Sequence, residues 1–197
     1  MHIQVKRYMY IVFFSPAIAC LLAYLMLPVH KPTITGEHLL AGLDSVTRQL
    51  EQYKTREWKY IIIHHSATKT GNAAEFDKYH RETRRWKNGL GYHFVVGNGN
   101  GSGNGYIEIG DRWLQQQSGA HVGINNYNRY GIGICMVGNF NEHYPSRAQM
   151  ASMVVLVQYL QKQCNISTEN ILLHKDCKTT DCPGKNFPFG HLFVQSL

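Results

Sequence analysis

Four short stretches gather residue types that metal-assisted hydrolysis uses. His64 and His65 adjoin in IIIHHSAT, His174 opens HKDCKTTDCPG, and Cys182 follows eight positions later, just before Pro183-Gly184. Tyr92 and His93 sit in GLGYHFVV, and His121 and Asn128 in GAHVGINNYN. Neutral imidazole and thiolate are zinc donors. A His and a Cys at the two ends of one loop can reach a common point, because the loop closes on itself. With a second histidine they would make a three-ligand set with an open fourth position, the pattern of catalytic zinc; structural zinc is closed by four protein ligands. On spacing alone, two readings stay open beside this: an edge pair of histidines, and an unrelated histidine with a free thiol.

Such a set needs strands and helices to hold it. Tyr60 to His64 is a short apolar, β-branched run that predicts a buried strand. Alternation sends adjacent strand side chains to opposite faces, so one of His64 and His65 can enter a given site. Asn72 with Glu75 predicts a capped helix whose inner stripe is Phe76, Tyr79, Thr83 and Trp86, ended by Gly89 and Gly91. Strands are expected at Tyr92 to Val96 and Tyr106 to Ile109, joined through residues 97–105 (GNGNGSGNG), a flexible turn. Ile132 to Val137 reads as another buried strand. Ser146 with Gln149 caps a long helix whose stripe is Met150, Met153, Val154, Val157 and Leu160. Ile171 to His174 is a short last strand. The sum is an α/β domain with a central mixed β-sheet flanked by helices, expected over residues 58–197.

Residues 8–29 contain no charge and follow Lys6-Arg7. As a helix they would span about 33 Å, against a hydrocarbon core of about 30 Å. Residues 1–30 are therefore expected to be an N-terminal membrane anchor with the rest of the chain exported, on the periplasmic or extracellular side. The alternatives are a lipoprotein signal ending at Cys20 and ordinary cleavage of a signal peptide. Residues 31–57 read as a spacer. Leu39, Leu43, Val46 and Leu50 share one face of a short amphipathic helix within it, which either docks on the domain or holds it off the membrane.

Composition narrows the classes. The chain has 197 residues, 44% hydrophobic and 17% charged, which excludes a wholly disordered protein and allows one domain of ordinary size. One candidate span excludes a multi-span transporter. Five cysteines are too few for a disulfide scaffold, and the odd number leaves at least one outside intrachain pairs. Cys164 and Cys177 can pair in an oxidising compartment, and Cys135 falls in a buried strand. A net charge of +7 favours acidic partners: nucleic acid, anionic lipid or a carboxylate-rich wall polymer. No basic run interleaved with aromatics marks a nucleic-acid groove.

Taken together, IIIHHSAT, GLGYHFVV, GAHVGINNYN, GIGICMVGNF and LHKDCKTTDCPG resemble the zinc-dependent N-acetylmuramoyl-L-alanine amidases of the amidase-2 class. These share a fold with peptidoglycan recognition proteins and with certain phage lysozyme-like amidases. The resemblance spans about residues 58–188 and implies an amidase-2-like fold. By it, His64, His174 and Cys182 hold Zn2+. Tyr92 and Thr180 serve catalysis; Thr180 stands where the phage members have lysine and the amidase-active recognition proteins have threonine. His121, Asn128, His80 and Trp86 contact substrate, and His65 either supports the ligands from behind or is structural. The implied reaction cuts the amide between N-acetylmuramic acid and L-alanine in peptidoglycan or muropeptide fragments. A non-catalytic peptidoglycan-binding module of the same fold is the alternative; binding-only relatives commonly lack the cysteine. A monomer is expected, with the membrane as a second partner through residues 8–29.

Overall fold

β1 (Tyr60–His65) carries three consecutive isoleucines because it is an interior strand of the sheet, paired on both sides. The computed structural model describes residues 45–193. The other strands are β2 (Phe94–Val96), β3 (Ile107–Ile109), β4 (Gly131–Met136) and β5 (Ile171–Leu173), in the spatial order β3-β2-β4-β1-β5. β1 runs parallel to β4 and β5, and β2 parallel to β4, while β2 and β3 form an antiparallel hairpin. The sheet is therefore mixed, as expected.

Sheet pairing and alternation together assign the two histidines to opposite faces. Ile61, Ile63, Phe94, Val96, Ile132 and Ile134 build the main core on one face, and Val95 and Cys135 pack on the other. His64 is the register partner of Cys135. His65 turns back to the core, its ring centroid 5.9 Å from that of Phe140.

Helices cover both faces. α5 (Arg147–Cys164) begins with the expected capping box: Gln149 N–H donates to Ser146 Oγ and Ser146 N–H to Gln149 Oε1. Its buried stripe is shifted from the expected one. Gln149, Met153, Leu156, Val157 and Leu160 are buried, while Met150 and Val154 lie at the margin. The cause is Gln149, whose amide donates to the Val137 carbonyl at 2.8 Å and so draws a polar position inward.

α2 (Ala73–Glu82) starts where expected, with Asn72 Oδ1 accepting from Glu75 N–H at 2.8 Å. It ends sooner, at Thr83, not at Gly89–Gly91. Asp77 reaches forward to the Leu90 N–H at 2.8 Å and binds Arg81 at 2.6 Å, which clamps a returning loop on the helix end. Phe76 and His80 therefore face inward, whereas Tyr79 is 51% exposed and Thr83 faces solvent. The turn at residues 97–105 is not loose. Asn100 and Gly101 carbonyls accept from Gly71 N–H and the Asn72 amide, lacing it to the start of α2.

Residues 45–51, helical and labelled α1, dock on the domain. Leu50 is fully buried and Val46 packs beside it. Arg56 and Trp58 bond to Gln116. The described part of the expected spacer thus belongs to the core. Two short helices, α3 (Asp111–Leu114) and α4 (Asn125–Tyr130), complete the connections to the sheet, and α6 (His174–Cys177) follows β5 directly. The predicted anchor at 8–29, with Leu39 and Leu43, lies outside the described residues. Among the described residues, no helix is long and apolar enough to cross a membrane. Cys135, Cys164, Cys177 and Cys182 are free thiols, so the Cys164–Cys177 pairing weighed from sequence is absent.

Candidate metal centre and its groove

Two strand ends and one loop converge at the carboxyl edge of the sheet. β1 delivers His64, the end of β5 delivers His174 as the first residue of α6, and the following loop returns with Cys182. That loop docks through Gly184 (φ +107°), where an added Cβ would overlap the Phe140 and Asn141 backbone. Glycine is needed there for both the left-handed conformation and the close approach.

One donor atom from each of His64, His174 and Cys182 lies within 4.8 Å of the others. Cys182 Sγ is 3.8 Å from His64 Nδ1. Tetrahedral zinc with ordinary Zn–S and Zn–N lengths would set such a pair about 3.6 Å apart. The His174 ring centroid lies 4.4 Å from that of His64. His174 Nε2 is buried without a hydrogen-bond partner among the described residues. Two imidazoles, one thiol and an orphaned ring nitrogen fit a zinc ion by donor type and by spacing. No fourth His, Cys, Asp or Glu joins this group among the described residues.

Burial sets the charge of each group in the cluster. Burial, then the neighbouring histidines, holds the His64 imidazole well below its ordinary value. Burial also lowers His174. Both rings are thus neutral and able to donate a lone pair. Burial pushes the Cys182 thiol up to about 12, although the His65 N–H donates to its sulfur at 3.3 Å. A divalent cation beside that sulfur reverses the preference and holds the thiolate.

A groove of about 600 Å³ opens beside the cluster. Of the residues expected to act on substrate, His80, Trp86, Tyr92 and His121 line it, as does His174. His80 stacks on Trp86 with centroids 4.6 Å apart, making one flat aromatic wall. The Tyr92 ring sits 5.2 Å from that of His64. Burial, then Cys135 and Cys182, raises the Tyr92 hydroxyl well above its ordinary value, so it remains a donor.

Two residues expected at the site make contacts within the protein. Asn128 is not in the groove lining; its Oδ1 accepts from the His121 and Val122 N–H groups, both at 3.0 Å. Thr180 Oγ1 accepts from the Cys182 N–H at 3.3 Å, fastening the sulfur-bearing residue. β2 begins at Phe94, so Tyr92 and His93 precede the regular strand, and their rings both approach His121, at 6.3 and 5.9 Å. His93 is fully buried, accepting from Gly133 N–H at 2.9 Å and donating to the Gln117 carbonyl at 3.0 Å. Glu75, Phe76 and Arg84 in the lining were not expected from sequence. The i, i+4 spacing of Phe76 and His80 was the available signal for part of that wall.

Known proteins share this architecture. The family model described as N-acetylmuramoyl-L-alanine amidase matches residues 54–185. Peptidoglycan-recognition protein SC2 of Drosophila melanogaster is 30% identical over 136 residues, covering 64% of this chain and 68% of that one. The solved structure of the endolysin N-acetylmuramoyl-L-alanine amidase LysCS from Clostridium intestinale superposes with a TM-score of 0.60 and 33% identity, over 69% of this chain and 81% of that chain. Peptidoglycan recognition protein-LE, solved in complex with tracheal cytotoxin, a monomeric diaminopimelic acid-type peptidoglycan, gives 0.55 and 27% over 68% of this chain and 78% of its own.

Proposed function

This chain belongs to the N-acetylmuramoyl-L-alanine amidase family, and we propose that it is a zinc-dependent hydrolase cutting the amide between N-acetylmuramic acid and L-alanine. The observation that carries this reading is the His64, His174 and Cys182 cluster, which no fourth ligand side chain joins among the described residues, beside a groove that His174 also lines. His64, His174 and Cys182 would hold the metal. Bound zinc supplies a Lewis acid and brings the pKa of a coordinated water towards about 7.

The remaining chemistry belongs to the chain's own groups. Tyr92 keeps its proton at neutral pH and donates a hydrogen bond to the oxygen that gains charge when the lactyl carbonyl is attacked. Thr180 holds the Cys182 backbone, and its own O–H is left to donate to the same oxygen or to the attacking water. The His80–Trp86 wall presents a flat apolar surface to the sugar or stem peptide, and Arg84 brings a positive charge to match stem carboxylates.

Peptidoglycan or its fragments are the proposed partners, a reading supported by the relative solved with a muropeptide. Residues 8–29 would anchor the chain, as a monomer, with the domain on the periplasmic or extracellular side. The alternative is a binding module without turnover, as the recognition-protein names of several relatives allow. Incubation with soluble muropeptides separates the two. Release of stem peptide, stopped by a chelator and restored by zinc, supports the amidase; retention of intact muropeptide by zinc-loaded protein supports the module.

A further inference from the structure

A neutral imidazole carries one N–H, so the partner of one ring nitrogen decides what the other can do. At the inner side of the candidate centre this rule passes through two rings. His121 Nε2 lies 3.2 Å from the Gly131 carbonyl oxygen, which can only accept, so Nε2 bears the hydrogen. His121 Nδ1 is then a bare acceptor, 2.9 Å from His64 Nε2. That bond needs a donor, and His64 Nε2 supplies it. His64 Nδ1 is left as an open lone pair, and it is the nitrogen that faces Cys182 Sγ at 3.8 Å.

We propose that His121 is a positioning residue, which relays the Gly131 carbonyl to His64 and so fixes the tautomer and ring orientation that leave His64 Nδ1 free for a divalent metal. The inference rests on the reading of His64 as a ligand, and it replaces the substrate contact expected of His121. Both His121 ring nitrogens are already engaged within the protein, and the residue is only 8% exposed.

The fold builds a slot for this ring. Gly119 and Gly133, from separate segments, flank it, and a Cβ at either position would overlap His121 ring atoms. Asn128 pins the backbone on the ring's chain side through the His121 and Val122 N–H groups. The His93 ring meets His121 edge-on at 5.9 Å and is itself locked by Gly133 and Gln117. Ring position is thus set by sterics and backbone contacts that do not involve a metal. Partners of this kind typically change metal affinity 10–100-fold when removed.

The test measures zinc affinity by chelator competition in the full chain, alongside histidine-selective 15N spectra of the metal-free protein. His121→Phe keeps a ring in the slot but has no nitrogen, and His121→Gln restores one acceptor and one donor. The wild type should show His64 protonated at Nε2 and bare at Nδ1. His121→Phe should bind zinc roughly 10–100-fold more weakly, with His64 no longer held in one tautomer, and His121→Gln should recover most of the loss. Wild-type affinity in a folded His121→Phe, or a wild-type His64 protonated at Nδ1, overturns the relay while leaving the ligand set intact. A wild type that binds no zinc overturns both. Should His121→Phe fail to fold, the metal-free wild-type spectrum decides.

Discussion

The sulfur of Cys182 lies 3.8 Å from Nδ1 of His64, two residues separated by 118 positions in the chain. The parallel pairing of β1 with β5 and the docking of the 178–184 loop bring them together. Replacing Cys182 by Ala should weaken zinc binding by more than about 100-fold, beyond what outer partners contribute, and abolish turnover. Zinc content and muropeptide cleavage are measured on the same sample. Full activity in that variant would remove the sulfur from the centre.

Tyr92 tests the division between holding metal and stabilising charge. Tyr92→Phe removes one donor to the developing oxyanion and should lower kcat about 100–1,000-fold. Zinc stoichiometry should stay that of the wild type. Parallel loss of metal and rate would make Tyr92 a structural residue.

Metal loading should move a proton. Burial holds the Cys182 thiol at about 12, so the metal-free site carries it protonated, while the His64 and His174 imidazoles are already neutral. Titration calorimetry at pH 7 in buffers of different ionisation enthalpy should report release of at least about one proton per zinc. No release would mean that the sulfur is not a thiolate ligand.

His93 sets part of the acid limit of the fold. Burial lowers its imidazole from 6.5 to about 3. Between those values the unfolded chain binds the proton and the folded chain does not. The contribution is therefore fully present above 6.5 and is lost as pH falls towards 3, at up to about 1.4 kcal/mol per pH unit. Burial of His64 and His121 acts in the same direction. Denaturant melts of metal-free protein at pH 7 and pH 5 should show this loss, and His93→Gln should show a shallower one. An unchanged slope would contradict the buried, neutral His93.

Leu50 probes how far the domain reaches towards the N-terminus. It is fully buried against the main core. Leu50→Ala should cost about 2–5 kcal/mol in denaturant unfolding. A neutral substitution would return residues 45–57 to the status of a spacer.

The strand run at 60–64, both helix caps and the order of the motifs were legible in the sequence, because each is a local pattern. The choice between His64 and His65 was not fixed by alternation alone; it follows from the pairing of His64 with Cys135, made across the sheet. The early end of α2 depends on Asp77 meeting Leu90, a contact between helix and loop. Asn128 looked like a groove residue because its motif lies beside His121, yet its amide oxygen is spent on that loop's backbone. The slot around His121 needs Gly119 and Gly133 from different segments, and no window of sequence contains both with their geometry. The docking of α1 depends on the face it meets, which the stripe of Val46 and Leu50 does not specify.

Hydrolysis in 18O-water, followed by mass spectrometry of the products, tests the amidase reading most directly. Attack at the lactyl carbonyl predicts one 18O in the carboxylate of the muramic acid product, an unlabelled stem peptide with a free L-alanine amine, and no reaction after zinc is stripped. Intact muropeptides after incubation with zinc-loaded protein, or label placed in a sugar instead of that carboxylate, would contradict it.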